Sequence, residues 1–390
     1  MALPAYAVAR SVAPKVADHL RLHRAKAPEL GGVAVVDLLP DAPVIEALVD
    51  AAFWASVRRE EGYVPKISLA FLPPMPEVMP LMFERPISLD PSALTRLAAA
   101  VERPGIHLGV WPASAKASAR QASDGVLEVW GTTHAIPPFC FVVEVIAAGL
   151  LVLKHRPREE SRKFVNVAVL EGDRIKIVDE GASSVADCPP LLTSMIGFDT
   201  QESADGTMSM LVQVALSMRR HGRGGIMLVV PADTDAWRAS IVQPMNYAVS
   251  PPYTELADLV ATGQGEAERH EWLETVGRAV EAIAGLTAVD GATVMSSRYS
   301  VLAFGAKIGR RTGAPQIERL VVTEPVEGSE PEWMHPGQLG GTRHLSAAQF
   351  VHDQPNAMAM VASQDGRFTI FAWSPCDAAV HAHRVETLLL

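Results

Sequence analysis

Cysteine is scarce: Cys140, Cys188 and Cys376 stand alone in 390 residues, with no Cys-x-x-Cys spacing. That excludes a disulfide framework and a zinc site on paired thiols, and the odd count fits reduced thiols in a cytoplasm. Positive charge is also short, with 34 Lys+Arg against 44 Asp+Glu and a net charge of −10. Nonspecific nucleic-acid binding needs a basic face, so nucleic acid is not an expected partner. A nucleotide site needs only a local cluster of cations and stays open. Long apolar runs are missing too: the most apolar stretch, Phe139 to Leu153, carries Glu144 and stops short of a bilayer span. Met1-Ala2-Leu3-Pro4-Ala5-Tyr6 lacks the basic-then-apolar order of a signal peptide. The expectation is a soluble, cytoplasmic chain with no membrane partner.

What is present is globular, with 48% hydrophobic and 20% charged residues. The length exceeds one ordinary core and predicts two domains, residues 1–205 and 206–390. In the first, helices are expected at Val12–His23, at Val44–Arg59 after Pro43, and at Ser92–Val101. Ile45, Leu48, Ala52 and Val57 are the candidate core of the second helix, and Gly32–Leu39 reads as strand or buried helix. Strands are expected at Lys66–Phe71, His107–Trp111, Val126–Trp130, Phe139–Ile146, Leu150–Leu153 and Arg174–Val178. Pro73, Pro74, Pro76 and Pro80 mark a loop. This is an α+β domain without a catalytic constellation, suited to sensing or regulation. His134 and Glu60-Glu61-Gly62 read as surface or packing features.

The second block opens with a helix through Met210, Leu211, Val214, Ala215 and Met218, stopped at Gly222. The following Gly-rich turn reads as part of that stop, ahead of a buried strand, Gly225–Val230. Thr254–Leu286 reads as largely helical with a stop at Gly285, and Val289–Met295 and Tyr299–Ile308 form a hairpin. A loop over Gly309–Gly340 leads to a helix capped by Thr342 and running to Asp353. Strands Ala357–Ala362 and Arg367–Trp373 follow. The class is α/β (α+β), with a C-terminal mixed sheet flanked by helices after a separate α+β domain. His381 and His383 have a His-x-His spacing that could hold a metal, but read first as exposed residues of a C-terminal strand or tail.

Chemistry concentrates in two short motifs. Gly340-Gly341-Thr342-Arg343-His344 sets two glycines, a hydroxyl, a guanidinium and an imidazole at a helix start. Free backbone N–H groups and the positive end of the helix dipole favour an anion there, and glycine lets a phosphate approach the backbone. Arg343 can add a bidentate contact to phosphate oxygens. Val289-Asp290-Gly291-Ala292 sets a carboxylate and a glycine where an apolar strand begins. Alone, each is an ordinary turn or cap; together they point to a nucleotide polyphosphate.

At these residues the chain resembles the diadenylate cyclase domain, the nucleotidyltransferase that joins two ATP molecules into cyclic di-AMP. The family's Asp-Gly-Ala and Gly-Thr-Arg-His-Arg motifs are similar to Asp290-Gly291-Ala292 and Gly341-Thr342-Arg343-His344-Leu345. Its apolar run ending in Val-Ser resembles Met360-Val361-Ala362-Ser363, and Gly305 falls where the family has an Ala-Gly pair. The resemblance implies attack of one ATP's 3′-hydroxyl on the other's α-phosphate, with release of pyrophosphate. It implies that Asp290 holds Mg²⁺ or Mn²⁺ and that Asp290, Arg343 and His344 are catalytic. Gly291, Ala292, Gly341, Thr342, Arg343, His344 and Ser363 would bind the nucleotide, and two domains must face each other in at least a homodimer. Three departures stand out. Leu345 replaces the second arginine, Val289 stands where many members carry histidine, and Gln364 stands where an acid commonly follows the serine. The implied function is a sensor-regulated diadenylate cyclase; the alternative is a degenerate relative that binds ATP or a cyclic dinucleotide as a sensor.

Overall fold

The computed structural model describes residues 4–26, 39–59, 62–75, 78, 80–113, 126–156, 164–179, 210–262 and 269–390. They form two compact units, the first reaching Val178 and the second running from Asp179 to Leu389. Residues 32–38 of the expected Gly32–Leu39 element, and Glu60-Glu61, lie outside the described residues.

The first unit lays helices α1 (Ala7–Lys26), α2 (Ala42–Ser56) and α3 (Pro91–Val101) against one sheet. Its strands are β1 (Ile67–Phe71), β2 (Leu81–Ser88), β3 (His107–Pro112), β4 (Leu127–Thr133), β5 (Phe141–Ala147), β6 (Leu150–His155), β7 (Val165–Glu171) and β8 (Arg174–Ile177). They lie in the order β2-β4-β3-β1-β5-β6-β7-β8. Asp41 caps α2 by accepting the Val44 amide at 3.1 Å, and Ile45, Leu48 and Ala52 are buried beneath it. Val57 does not join that core: it is the C-cap residue and 46% exposed, because the helix stops one residue earlier. β1 is central, parallel to β3 and antiparallel to β5, and all five of its residues are buried, so both of its faces are covered. Ser68 therefore turns inward, its hydroxyl 2.7 Å from Nδ1 of buried His107. β2 tolerates Pro86 because it is an edge strand.

In the second unit, α4 (Met210–Arg220) leads into β9 (Gly225–Val230), a 3-10 turn (Ala236–Ser240) and β10 (Tyr247–Tyr253). Helices α5 (Glu255–Thr262) and α6 (Arg269–Leu286) precede the hairpin β11 (Ala292–Ser296) and β12 (Val301–Ala306). β13 (Leu320–Thr323), β14 (Glu332–Met334) and α7 (Pro336–Leu339) come next. α8 (Thr342–Asp353), β15 (Met358–Ala362), β16 (Phe368–Ser374), β17 (Ala379–Arg384) and α9 (Glu386–Leu389) complete it. The sheet order is β10-β12-β11-β9-β15-β16-β17-β13-β14, with β9/β11 and β13/β17 parallel and the other pairs antiparallel. Ile226, Leu228 and Val361 share one core with Ala347, Phe350 and Val351 of α8. Alternate residues such as Met227 and Met360 are also fully buried; α4 touches β15 and α6 touches β12. Mixed sheet and flanking helices match the expected class. No helix among the described residues is long and apolar enough to cross a membrane.

Several local expectations are corrected. The helix stop falls after Leu286, not at Gly285: α6 runs through Gly285 before amides 287–289 fold back onto carbonyls 284–286. The loop expected at Gly309–Gly340 contains β13, β14 and α7. His381 and His383 are buried in β17, not exposed: His381 Nε2 meets Asp377 at 2.7 Å and His383 Nδ1 meets Thr323 at 2.7 Å. Residues 379–383 of this inner strand are buried on both faces of the sheet, so neither imidazole reaches water.

Candidate functional site

The register of the second sheet gathers one end of five strands. Ala292 at the start of β11 pairs with Ile226, and Gly225 at the start of β9 pairs with Ala362 at the end of β15. Ala362 pairs with Phe368 at the start of β16, and Thr369 pairs with Arg384 at the end of β17. The turns just beyond these ends carry Asp290-Gly291, Arg223-Gly224 and Ser363-Gln364. Sequence-distant polar groups thus become neighbours along one rim.

α8 begins at that rim. Gly341, not Thr342, is its N-cap, with φ −75° and ψ −165° and no side-chain cap. Its carbonyl accepts the His344 and Leu345 amides at 3.0 and 3.3 Å, which leaves Thr342 as an exposed first helical residue. An uncapped N-terminus keeps its partial positive charge available to an anion. The exposed side chain of Arg343 lies over Gly224: a Cβ at 224 would sit 2.9 Å from Nη1 and 3.3 Å from the Ala362 carbonyl. Gly224 has φ +71°, so absence of a side chain meets both the backbone and the space requirement. The Gly-rich turn is therefore more than a helix stop. Gly222 (φ +65°) performs that role, while Gly224 seats the guanidinium.

His344 points the other way. It is buried, its Nε2 3.5 Å from Thr369 Oγ1 and its ring edge-on to Phe371 at 6.1 Å. Burial lowers its pKa and keeps it neutral. Gly340 fits closely over that ring, where a Cβ would lie 2.5 Å from Nδ1. Leu345 is half-buried and packs against the core.

Asp290 is exposed in the turn before β11, and Lys307 Nζ donates to its Oδ2 at 2.5 Å. That hydrogen bond and charge, with Arg343 adding to them, hold the Asp290 carboxyl below its usual range. Gly291 (φ +119°) backs onto Gly305 (φ +59°) so closely that a Cβ at 291 would sit 2.4 Å from the Gly305 carbonyl carbon. Ala292 is buried in β11. The turn is tied to its neighbour through His221: Nδ1 accepts the Arg223 amide at 3.1 Å, so Nε2–H faces Thr287 Oγ1 at 3.1 Å. Gln364 donates to the Arg223 carbonyl at 3.3 Å. Ser363 is half-buried and spends its hydroxyl on Asp365, whose carboxyl is lowered by Ser363 and Arg367 against its partial desolvation.

Three residues at this rim escape the motif reading. Lys307 lies seventeen positions past Asp290 and is found only through the hairpin register. Gly224 looks like helix punctuation. Tyr247 on β10 is 49% exposed, stacks on Phe304 at 4.8 Å and 2°, and edges Gly305 beside the Asp290 turn. A separate open groove of about 770 Å³ lies along β10 and α5. It is lined by Pro251, Tyr253, Glu255 and Asp258 and lies toward the Val301 end of β12. Its carboxylates would repel phosphate, so the rim is the better anion site. Among the described residues, no group of three or more His, Cys, Asp or Glu side chains is placed to hold a metal ion.

Comparison with known proteins places a family description on the first unit. Residues 35–134 match the family described as "Probable sensor domain DACNV". That span covers α2 through β4, and residues 210–390 lie outside it. No curated protein matches the chain. One solved structure, described as a hypothetical membrane spanning protein from Bacillus cereus, is similar at 14% identity and a TM-score of 0.26. It covers 49% of this chain and 67% of its own, a likeness too slight to bear on function. The first unit thus carries a match to a probable sensor domain, consistent with a signalling protein.

Proposed function

We propose that the second unit binds ATP or a related nucleotide at the rim, as a diadenylate-cyclase-like module governed by the sensor-type first unit. The observation that carries this reading is the uncapped start of α8 with Arg343 seated on Gly224, beside the Asp290 turn. Polyphosphate oxygens would take the first amides of α8 and the Arg343 guanidinium, while Tyr247 offers half a ring face for the base. Several such contacts must converge, since a helix terminus alone contributes about 0.3–1 kcal/mol when exposed.

Regulatory binding is favoured over turnover by two departures from the cyclase pattern and one contact. Leu345 packs into the core and Gln364 is engaged with the Arg223 carbonyl, while Lys307 pairs with Asp290. Cyclisation of two ATP molecules by a facing homodimer is the second reading, supported by the nearness of Arg343 to Asp290. Calorimetric titration of the full chain with ATP tests the first. Failure to bind removes it. Incubation with ATP and Mg²⁺ or Mn²⁺ tests the second: cyclic di-AMP that disappears in Asp290→Asn would establish turnover.

A further inference from the structure

The divalent ion implied by the cyclase resemblance fits this donor set poorly. Mg²⁺ takes six oxygens at close to ideal octahedral geometry and is usually held by one or two free carboxylates plus phosphate and water. Asp290 is already paired: the Lys307 ammonium lies on its Oδ2 at 2.5 Å, so an ion approaching that carboxylate meets a cation already in place. Asp365, the other carboxylate of the rim, is already shared between Ser363 and Arg367, the latter at 3.3 Å.

We infer that Lys307 supplies at Asp290 the charge a metal ion would bring, so that the rim takes a nucleoside polyphosphate without a divalent cation. This rests on the nucleotide reading above and deepens it. The fold builds the pair deliberately close. Ala292 pairs with Ala306, which sets residue 307 opposite the Asp290 turn. The Gly291 and Gly305 backbones touch, bringing the two chains nearer than side chains would permit. The Lys307 backbone is fixed as well, because its carbonyl accepts the Val242 amide at 2.9 Å and Ile308 bridges Ile241. Lys307 keeps 52% of its side chain exposed, so its remaining N–H bonds face outward to an anion. Asp290 thus holds an ammonium in place beside Arg343. Lys307, Arg343 and Arg367 against Asp290 and Asp365 leave the rim net positive with no ion bound, and Lys307 supplies a charge in a motif that has Leu345 in place of its second arginine.

The test is calorimetric titration of the full chain with ATP in EDTA and again in Mg²⁺, for wild type, Lys307→Met and Lys307→Arg. Wild-type affinity should agree within about threefold between the two buffers. Lys307→Met should weaken binding in EDTA by about tenfold, the scale of one charge-assisted contact, and recover part of it in Mg²⁺ once Asp290 is uncovered. Lys307→Arg should keep metal-independent binding. Wild type that binds only with Mg²⁺, or Lys307→Met that binds like wild type in EDTA, overturns the inference and leaves the nucleotide reading standing. Wild type that binds ATP in neither buffer overturns both.

Discussion

The guanidinium of Arg343 rests on the bare backbone of Gly224, close enough that a methyl group at 224 would lie 2.9 Å from Nη1. Helix start and strand start thereby meet although 119 residues separate them in sequence, and the site's main cation rests on a residue with no side chain.

Gly224→Ala should therefore separate binding from stability. At φ +71° the alanine strains the backbone by roughly 1 kcal/mol and also displaces Arg343. Gly222→Ala is the control: φ is +65°, yet nothing lies within 4 Å of its Cβ position. Denaturant unfolding should show a loss for both variants, somewhat larger for Gly224→Ala because its Cβ also meets the Ala362 carbonyl, whereas ATP titration should show a clear loss only for Gly224→Ala. Equal affinities would mean that Arg343 does not touch the nucleotide.

How much of this was legible beforehand follows from the range of the interactions. α2, α3, α8 and the β11–β12 hairpin carry local signals, namely caps, periodicity and turn residues, and they stand close to where those signals put them. β17 is half legible, as a C-terminal strand or tail; the alternating valines of β7 carry a strand signal that the reading passes over, and β10 announces none. In β10, Pro251 and Pro252 argue against a strand, and only its edge position permits one. Asp290 and Arg343 were readable as motifs. Lys307 and Tyr247 were not, since nothing near them in sequence shows that the β10–β12–β11 register turns both toward Asp290. His344 sits in its motif, but the fold gives its ring to Thr369 and the core.

Tyr247→Ala should distinguish base from phosphate recognition. Its ring is stacked on Phe304 and half exposed beside the Asp290 turn, a platform for a nucleobase. Loss of one such stack costs roughly 1–3 kcal/mol. ATP binding should weaken accordingly, while inorganic tripolyphosphate should bind as to wild type. A parallel loss for both ligands would assign Tyr247 to support of the rim, not to the base.

Acid should destabilise both units through buried neutral histidines. Burial first, then Lys154 and His134, pushes the His107 pKa down to about 4; burial and His381 push His383 down to about 3. An unfolded histidine titrates near 6.5, so the unfolded chain binds more protons below that pH. The stability is fully present above about pH 6.5 and drains as pH falls towards each folded value, by roughly 3 kcal/mol for His107 when complete. Urea unfolding of wild type, His107→Gln and His383→Gln at pH 7 and pH 4.5 checks this. Each variant should lose less on acidification than wild type, and an unchanged slope would contradict the assignment.

Leu345→Arg decides how far the site stands from a working cyclase. Leu345 is half-buried against the core at the first turn of α8, where the cyclase motif carries its second arginine. An arginine can lay its methylenes along that apolar surface and carry its charge out to the rim, at a cost of about 1 kcal/mol in stability. Tripolyphosphate affinity should then rise by roughly tenfold, the return from one added charge-assisted contact. The product assay separates the two readings. Cyclic di-AMP formed by Leu345→Arg and not by wild type would identify a cyclase silenced at a single position. Tighter binding without product is the expected result, because Lys307 still covers Asp290 and Gln364 still stands where an acid would be. Should the double variant Leu345→Arg, Lys307→Met also form no product in Mn²⁺, the cyclase reading is excluded and the module is a nucleotide receptor.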